Sequence, residues 1–356
     1  MPMSLGELRR KIDEIDARML EMLVERAHVA EEIGRTKEVG DRAIYAPARE
    51  AELLRALVAN DPAPLAPESV EAVFREIISA CRGLQQVPKI AFLGPEHTFT
   101  HLAARKRFGH RADFAAVPSI SDVFERVERR QVDFGVAPIQ NSTEGVVGLT
   151  LDCLLDTPLR ICAEIYVQVN HFLACAGQLE QIRQVRSHPQ VLAQCRRWLR
   201  ENLPGVEQVA TSSSSAAACE AEAEPGVAAI CTREAAAARG LAILAENIED
   251  LADNRTRFVV LGDLEVPPTG ADKTSVVFST PHRAGALHKA LGAFALYEIN
   301  LTMIQSRPAR GRLWEYVFFV DFEGHREQPA VQAALGYLRE FCPLLKVLGS
   351  YPAERA

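Results

Sequence analysis

The sequence predicts a multidomain chain: an all-α helical segment over residues 1–87, an α/β domain over 88–266, and a linker plus βαββαβ ferredoxin-like module over 267–356. Three observations carry this. At 356 residues the chain exceeds one ordinary core. Apolar residues near its start recur at helical spacing, whereas after Pro88 short apolar runs alternate with helical stretches.

In the first segment Leu5, Leu8, Ile12, Ile15, Met19, Met22, Val29 and Ile33 follow a 3-4 repeat. That is the seam of one long helix, about 45 Å for thirty residues. A second helix starts near Pro47, a favoured first-turn residue, and carries Leu53, Leu54 and Leu57. The stretch DPAPLAP separates it from a third, with Val70, Phe74, Ile77, Cys81 and Leu84 on one face. Three thin helices enclose little core, and dimerisation is the natural remedy.

In the α/β segment the strands KIAFLG, ADFAAVP, FGVAPI, VAAICT, LAILAENI and RFVVLG alternate with helical stretches such as THLAARKRF and SDVFERVERRQ. After the linker VPPTGAD, the order is strand KTSVVFST, helix GALHKALGAFALYE, strands LTMIQSR and LWEYVFFVDF, helix QPAVQAALGYLREF, strand LKVLGSYP. That is the split βαβ unit.

Composition narrows the function classes. Apolar residues are 48% and charged residues 24%, as in soluble globular proteins. No apolar run reaches the roughly 20 residues of a bilayer span, and no signal-peptide stretch follows Met1, so the expected compartment is the cytoplasm. A net charge of −7 argues against nucleic acid as a partner. The eight cysteines show no CxxC pair and the nine histidines no HExxH, so neither a disulfide framework nor a metal site is expected.

Arg26 stands where the seam of the first helix calls for a hydrophobe. A buried guanidinium needs an anion. Spacing leaves two readings open: a register-fixing pair with a neighbouring glutamate, or a grip on a small dianion shared with Lys37, about 16 Å further along the same face. Arg9 lies ~25 Å from Arg26 along a straight helix, so it can serve only a partner chain's site.

LGELRRKID, then MLVERAHVAEEIGRTK, the pair Arg49-Glu50 and the ending LQQ together resemble the all-helical type of chorismate mutase across the whole first segment. The resemblance implies an intertwined dimer with each pocket completed across the interface. It also assigns Arg9, Arg26 and Arg49 to substrate carboxylates, Lys37 and Gln85 to the ether oxygen, and Glu50 to the substrate hydroxyl. The chemistry suits these residues. An intramolecular rearrangement needs no nucleophile or cofactor, only a held conformer and donors for charge growing on the ether oxygen. Ala46 departs from relatives that carry an acid near Lys37.

In the middle segment GPEHTFT opens a helix, PIQNSTEG follows a strand, SHPQVLAQC follows QIRQV, and NRTRF precedes VVLG. Singly each reads as a turn or a helix cap, and GPEHTFT alternatively as a carboxylate cradle of threonines and backbone N–H groups. The run TSSSSAA reads as an N-cap. In this order the four stretches resemble prephenate dehydratase, which implies two α/β lobes closing on prephenate. The resemblance makes Thr256 the catalytic threonine, with Thr98, Gln140, Asn141, Ser142, Ser187, Gln194, Arg257 and Phe258 around the substrate. A hydroxyl donor aimed at the leaving oxygen suffices, because aromatisation drives the loss of carbon dioxide and water. Gln140 replaces the usual glutamate and His97 the usual glycine.

The C-terminal helix start, with QSRP and LWEYVFFVDFEGH, resembles the ACT domain of phenylalanine-inhibited dehydratases. That implies phenylalanine bound between two such modules, near Gly285, Ala286, Leu287, Asn300, Leu301, Gln305, Ser306, Arg307 and Pro308. Gln305 replaces a usual glutamate, which weakens the hold on an ammonium group. On this reading, deleting residues from Lys273 onward leaves catalysis but abolishes sensitivity. Two competing functions remain: a non-catalytic amino-acid-sensing protein, which would leave chorismate unchanged, and a dehydratase preferring arogenate.

Overall fold

The computed structural model describes residues 3–36, 45–308 and 316–354. Two compact units result, one holding the chain up to Lys89 together with Phe108–Asp113, the other Ile90–Arg107 and Phe114 onward. Among the described helices none is long and apolar enough to cross a membrane. The cysteines are all free thiols.

The helical unit has three helices: α1 (Leu5–Thr36), α2 (Pro47–Ala59) and α3 (Pro67–Gln85). Helix α1 opens on a reciprocal cap. Glu7 N donates to Ser4 Oγ, while Ser4 N and its hydroxyl donate to Glu7 Oε2 at 2.7 and 2.8 Å. Proline starts both α2 and α3. Helix α3 packs on α1, and the approach depends on Gly34, where a Cβ would come within 2.8 Å of Gln85 Cγ. Most of the α1 seam stays uncovered: Leu8, Ile12, Met19, Val29 and Ile33 are exposed, and Met22 is 69% exposed. The segment 108–113, which the sequence reading gave to the α/β domain, packs here. Phe108 lies against Tyr45, and Arg111 N donates to Ser79 Oγ at 3.1 Å.

The second unit opens with β1 (Lys89–Leu93), α4 (Phe99–Phe108), β2 (Asp113–Val117), α5 (Ile120–Glu128), β3 (Phe134–Asn141), β4 (Gly145–Val146), α6 (Gly148–Asp156) and β5 (Arg160–Gln168). A second lobe follows, comprising β6 (Phe172–Cys175), β7 (Gln184–Ser187), α7 (Pro189–Gln194), α8 (Arg196–Asn202), β8 (Glu207–Ala210), α9 (Ser214–Ala223), β9 (Val227–Cys231), α10 (Arg233–Ala238) and β10 (Ala242–Ala245). The chain then returns as β11 (Arg255–Gly262), which inserts between β3 and β5 in the order β2-β1-β3-β11-β5. The second lobe is therefore an insertion in the first, with its own sheet β10-β6-β9-β7-β8. The crossing is tied where Val169 N donates to Asn254 O at 2.8 Å. The serine run caps α9 through Ser213 Oγ, as expected.

The C-terminal module has β12 (Asp272–Ser279), α11 (Ala286–Leu296), β13 (Leu301–Pro308), β14 (Tyr316–Glu323), α12 (Pro329–Phe341) and β15 (Leu344–Pro352). Its antiparallel sheet runs β13-β14-β12-β15. Strand alternation divides its side chains between two cores. Val276, Phe278, Phe318, Val320 and Phe322 face α11 and α12. Val277, Val317, Phe319, Leu348 and Tyr351 instead join Ile161, Val259 and Leu261 of the first lobe. The module thus shares a core with the domain before it.

Candidate active sites and effector site

In the helical unit, Glu50 on the first turn of α2 accepts from Arg82 Nη2 at 2.5 Å. Arg82 is 5% exposed and lies 5.4 Å from the centroid of Tyr45 and 5.8 Å from that of Phe108. Sequence reasoning missed Arg82; its signal was a cation beside the apolar face of α3. Gln85 Nε2 donates to Ala30 O at 2.9 Å, which brings it to α1 one turn beyond half-buried Arg26. Arg9 and Arg49 are exposed, and Arg49 lies 3.7 Å from Glu52. A single chain does not bring Arg9 and Arg26 together. Lys37 lies outside the described residues.

In the two-lobed domain, Asn141 at the end of β3 faces Thr256 at the start of β11. Asn141 Oδ1 accepts from Thr143 N, Thr143 Oγ1 and Glu144 N at 2.9, 2.6 and 3.1 Å. Those backbone donors fix the amide's orientation, so Nδ2 must be the group that donates to Asn254 Oδ1 at 2.8 Å and to Thr256 Oγ1 at 2.9 Å. Asn254 was not singled out from the sequence, although it opens NRTRF. Ser142 ties the same two strand ends together: Arg255 N donates to its Oγ, and its hydroxyl donates to Asp253 O. Its hydroxyl is thus committed to two backbone groups of the facing strand end.

Two expected pocket residues point elsewhere. Between Arg257 and Phe258 the register slips, leaving Ile139 as the extra residue of β3 and Gln140 opposite Arg257. Gln140 also pairs with Val146, which packs into the first-lobe core. Gln140 and Arg257 therefore share the face away from Asn141 and Thr256, and the exchange of glutamate for Gln140 falls on that face. Arg257 is buried. Its Nε donates to Glu164 at 2.8 Å, Nη2 to the Tyr351 hydroxyl at 2.8 Å, and Nη1 to Asp321. Burial would lower its pKa, but Tyr351, Asp321 and Glu164 outweigh that and raise it well above the usual value. Phe258 is fully buried.

From the second lobe, Gln194 reaches the cleft at the end of α7. Its Oε1 meets His171 Nε2 at 2.8 Å, and its Nε2 donates to Glu144 Oε1 at 2.9 Å. Because Gln194 Nε2 donates to Glu144, its Oε1 is the atom that faces His171, and His171 donates from Nε2; burial lowers the pKa of that ring. Ser187 is fully buried and its hydroxyl donates to Ile230 O at 2.7 Å, so it supports the strand end below the cleft. Thr98 spends its hydroxyl on Leu93 O and Pro95 O while accepting from His101 N, as a cap of α4. His97 sits at φ +64°, the left-handed region that favours glycine. Its N–H donates to His101 Nδ1 at 2.9 Å. Burial, with the nearby His97, brings the His101 pKa down to about 4, which keeps that nitrogen free to accept.

In the C-terminal module Gly285 precedes α11 at φ +77°, and Gly285, Ala286 and Leu287 line a cavity of about 330 Å³ with Arg283, His288 and Phe318. Asn300 Nδ2 donates to Glu323 Oε1 at 3.0 Å. Strand β13 is a sheet edge along which Leu301, Gln305 and Arg307 are half-buried while Ser306 and Pro308 are exposed. Gln305 Nε2 donates to Ser306 O at 3.0 Å. Arg307 is corrected as an effector ligand: its fork grips Asp152 of α6 at 2.8 and 2.9 Å. Among the described residues no cluster of His, Cys, Asp and Glu could hold a metal.

Comparisons with known proteins agree with this layout. Residues 8–86 match the family described as chorismate mutase type II, 90–265 prephenate dehydratase, and 274–340 the ACT domain. The chain is 44% identical to the bifunctional chorismate mutase/prephenate dehydratase of Aquifex aeolicus, covering 98% of each chain. It is 46% identical to that of Neisseria gonorrhoeae, over 97% of this chain and 96% of the relative. A solved prephenate dehydratase of Arthrobacter aurescens, in complex with L-Phe, is 36% identical with a TM-score of 0.70, covering 74% of this chain and 90% of that one.

Proposed function

The chain belongs to the bifunctional chorismate mutase/prephenate dehydratase family, and from that premise we propose which groups perform its two reactions and how phenylalanine enters. The helical unit rearranges chorismate to prephenate, and the two-lobed domain turns prephenate into phenylpyruvate, carbon dioxide and water. The observation that carries the second assignment is the direction of the Asn141–Thr256 hydrogen bond. Because Thr256 Oγ1 accepts from Asn141, its own proton is directed away, toward the cleft. It donates to the ring hydroxyl as the C–O bond breaks. The electrons of the departing carboxylate's C–C bond move into the ring, and water leaves with the proton. Gln194 offers amide donors from the facing lobe, where the substrate carboxylates are expected.

For the mutase, Arg26, Lys37 and Gln85 from one chain and Arg9 from another bind chorismate, with Arg49 and Glu50 completing the pocket. The uncovered apolar seam of α1 supports a homodimer, since a second copy would bury it. Phenylalanine is the effector of the C-terminal module, received near Gly285–Leu287. Cytoplasmic residence goes with this biosynthetic role. The test follows chorismate to phenylpyruvate with the parent chain and Thr256→Val. The variant should accumulate prephenate, its dehydratase kcat falling by about 10²-fold, the scale of a positioned proton donor. Chorismate left unchanged by the parent chain would sink both activities, and an unaltered kcat in the variant would sink the threonine.

A further inference from the structure

We propose that Asp321 and Tyr351, both in the C-terminal sheet, are positioning residues for the dehydratase reaction, holding Thr256 in place through its neighbour Arg257. The inference rests on the reading of Thr256 as the donor. Arg257 shares a peptide bond with Thr256 but projects from the opposite face of β11, and its side chain is 4% exposed. Its own lobe supplies one partner, Glu164; Asp321 of β14 and Tyr351 of β15 supply the others. The C-terminal module closes the cluster further. Lys273 Nζ donates to both Glu164 oxygens at 2.8 Å, and the Tyr351 and Ser275 hydroxyls meet at 2.6 Å. Two cations and two anions balance.

The energetics say what such a cluster is for. Alternation along YVFFVDF sends Val317 and Phe319 into the shared core, and Asp321 takes the next position on that face. An apolar residue there would serve stability as well or better, because desolvating charges offsets most of their attraction. What an apolar residue cannot do is fix direction. A planar fork held on three sides sets the backbone of Arg257, and with it the Thr256 carbon that carries the hydroxyl. A displacement near 1 Å at a reacting group costs on the order of 10²-fold in rate.

The experiment uses the full chain with Asp321→Asn, Tyr351→Phe, Thr256→Val and the double variant Asp321→Asn/Thr256→Val. Dehydratase kcat and KM are measured with prephenate, and mutase turnover in the same preparations serves as an internal control. Asp321→Asn and Tyr351→Phe should each lower kcat by about tenfold or more, with KM within about twofold and mutase turnover unchanged. The double variant should be no slower than Thr256→Val alone, because both changes act through one hydroxyl; loss of packing would not give that result. If Asp321→Asn does not fold, the conservative Tyr351→Phe decides. The inference is overturned if kcat stays near the parent value while Thr256→Val still loses activity, or if the losses add. No effect of Thr256→Val would instead overturn the donor reading.

Discussion

Glu144 and Gln194 belong to facing lobes and are joined across the cleft: Glu144 Oε1 accepts from Gln194 Nε2 at 2.9 Å, and its other oxygen accepts from Gln190 Nε2. Glu144 N in turn donates to Asn141 Oδ1, so one residue links Asn141 of the first lobe with Gln190 and Gln194 of the second. A carboxylate held by two amides occupies the same chemistry that a substrate carboxylate would seek. Glu144→Ala should therefore free those amides and remove a like charge. KM for prephenate is expected to fall by roughly fivefold, the worth of one charge-assisted hydrogen bond, with kcat little changed. A rise in KM, measured by steady-state kinetics, would show that the clasp holds the lobes in the productive geometry.

Arg82 gives the helical unit a comparable dependence. Its pair with Glu50 is nearly buried, with side-chain exposures of 5% and 14%. Arg82→Leu leaves Glu50 without its cation, a change that costs about 3 kcal/mol when a buried pair loses one partner. The expected outcome is loss of mutase turnover and earlier melting of the helical unit, with dehydratase activity on supplied prephenate retained. Equal loss of both activities would mean that Arg82 supports the whole fold.

The length of α1 separates two of the arginines proposed for the mutase pocket. Its 32 residues are helical throughout, which keeps Arg9 about 25 Å from Arg26. Arg9→Ala and Arg26→Ala should each abolish mutase turnover alone. Co-expressed, they should form mixed dimers in which one of the two pockets is intact. Titrating one variant against the other should show activity peaking near equal amounts; a flat, inactive profile would defeat the shared pocket.

Sequence patterns located most of the elements because apolar periodicity is local. The α1 seam and the alternation of β12 and β14 could be read directly, and the structure joins Thr256 to Asn141 by a hydrogen bond. What escaped is what tertiary structure decides. Strand β5 was overlooked because Glu164 interrupts RICAEIYVQ; its partners Arg257 and Lys273 are 93 and 109 residues away. Gln140 and Arg257 sit inside the motifs of the expected pocket, but alternation along β11 turns Arg257 to the face opposite Thr256, and the slipped register of β3 carries Gln140 to that face with it. Arg307 belonged to an effector motif, but its anion lies on α6. Arg82, Glu144 and His171 carry ordinary side chains whose roles arise only from what packs beside them.

The shared core changes the expected result of removing the sensor. From sequence, deletion from Lys273 onward leaves a working but insensitive dehydratase. In the structure that deletion strips Val277, Phe319, Leu348 and Tyr351 from the core they share with Ile161, Val259 and Leu261. It also removes Asp321, Tyr351 and Lys273 from the Arg257–Glu164 pair, and Lys346, whose Nζ donates to the carbonyls of Leu154 and Leu155 at the end of α6. The truncated chain should be poorly folded, with dehydratase activity lost and mutase turnover retained. Feedback is better tested by Gln305→Glu in the full chain, because a carboxylate facing the phenylalanine ammonium adds a charge-assisted bond worth ~1 kcal/mol. Inhibition of the dehydratase should then set in at about fivefold lower phenylalanine, while basal kcat stays at the parent value. Should Gln305→Glu leave the inhibition curve where it was, β13 does not face the effector. A truncated chain that retains full dehydratase activity would mean that the shared core is dispensable.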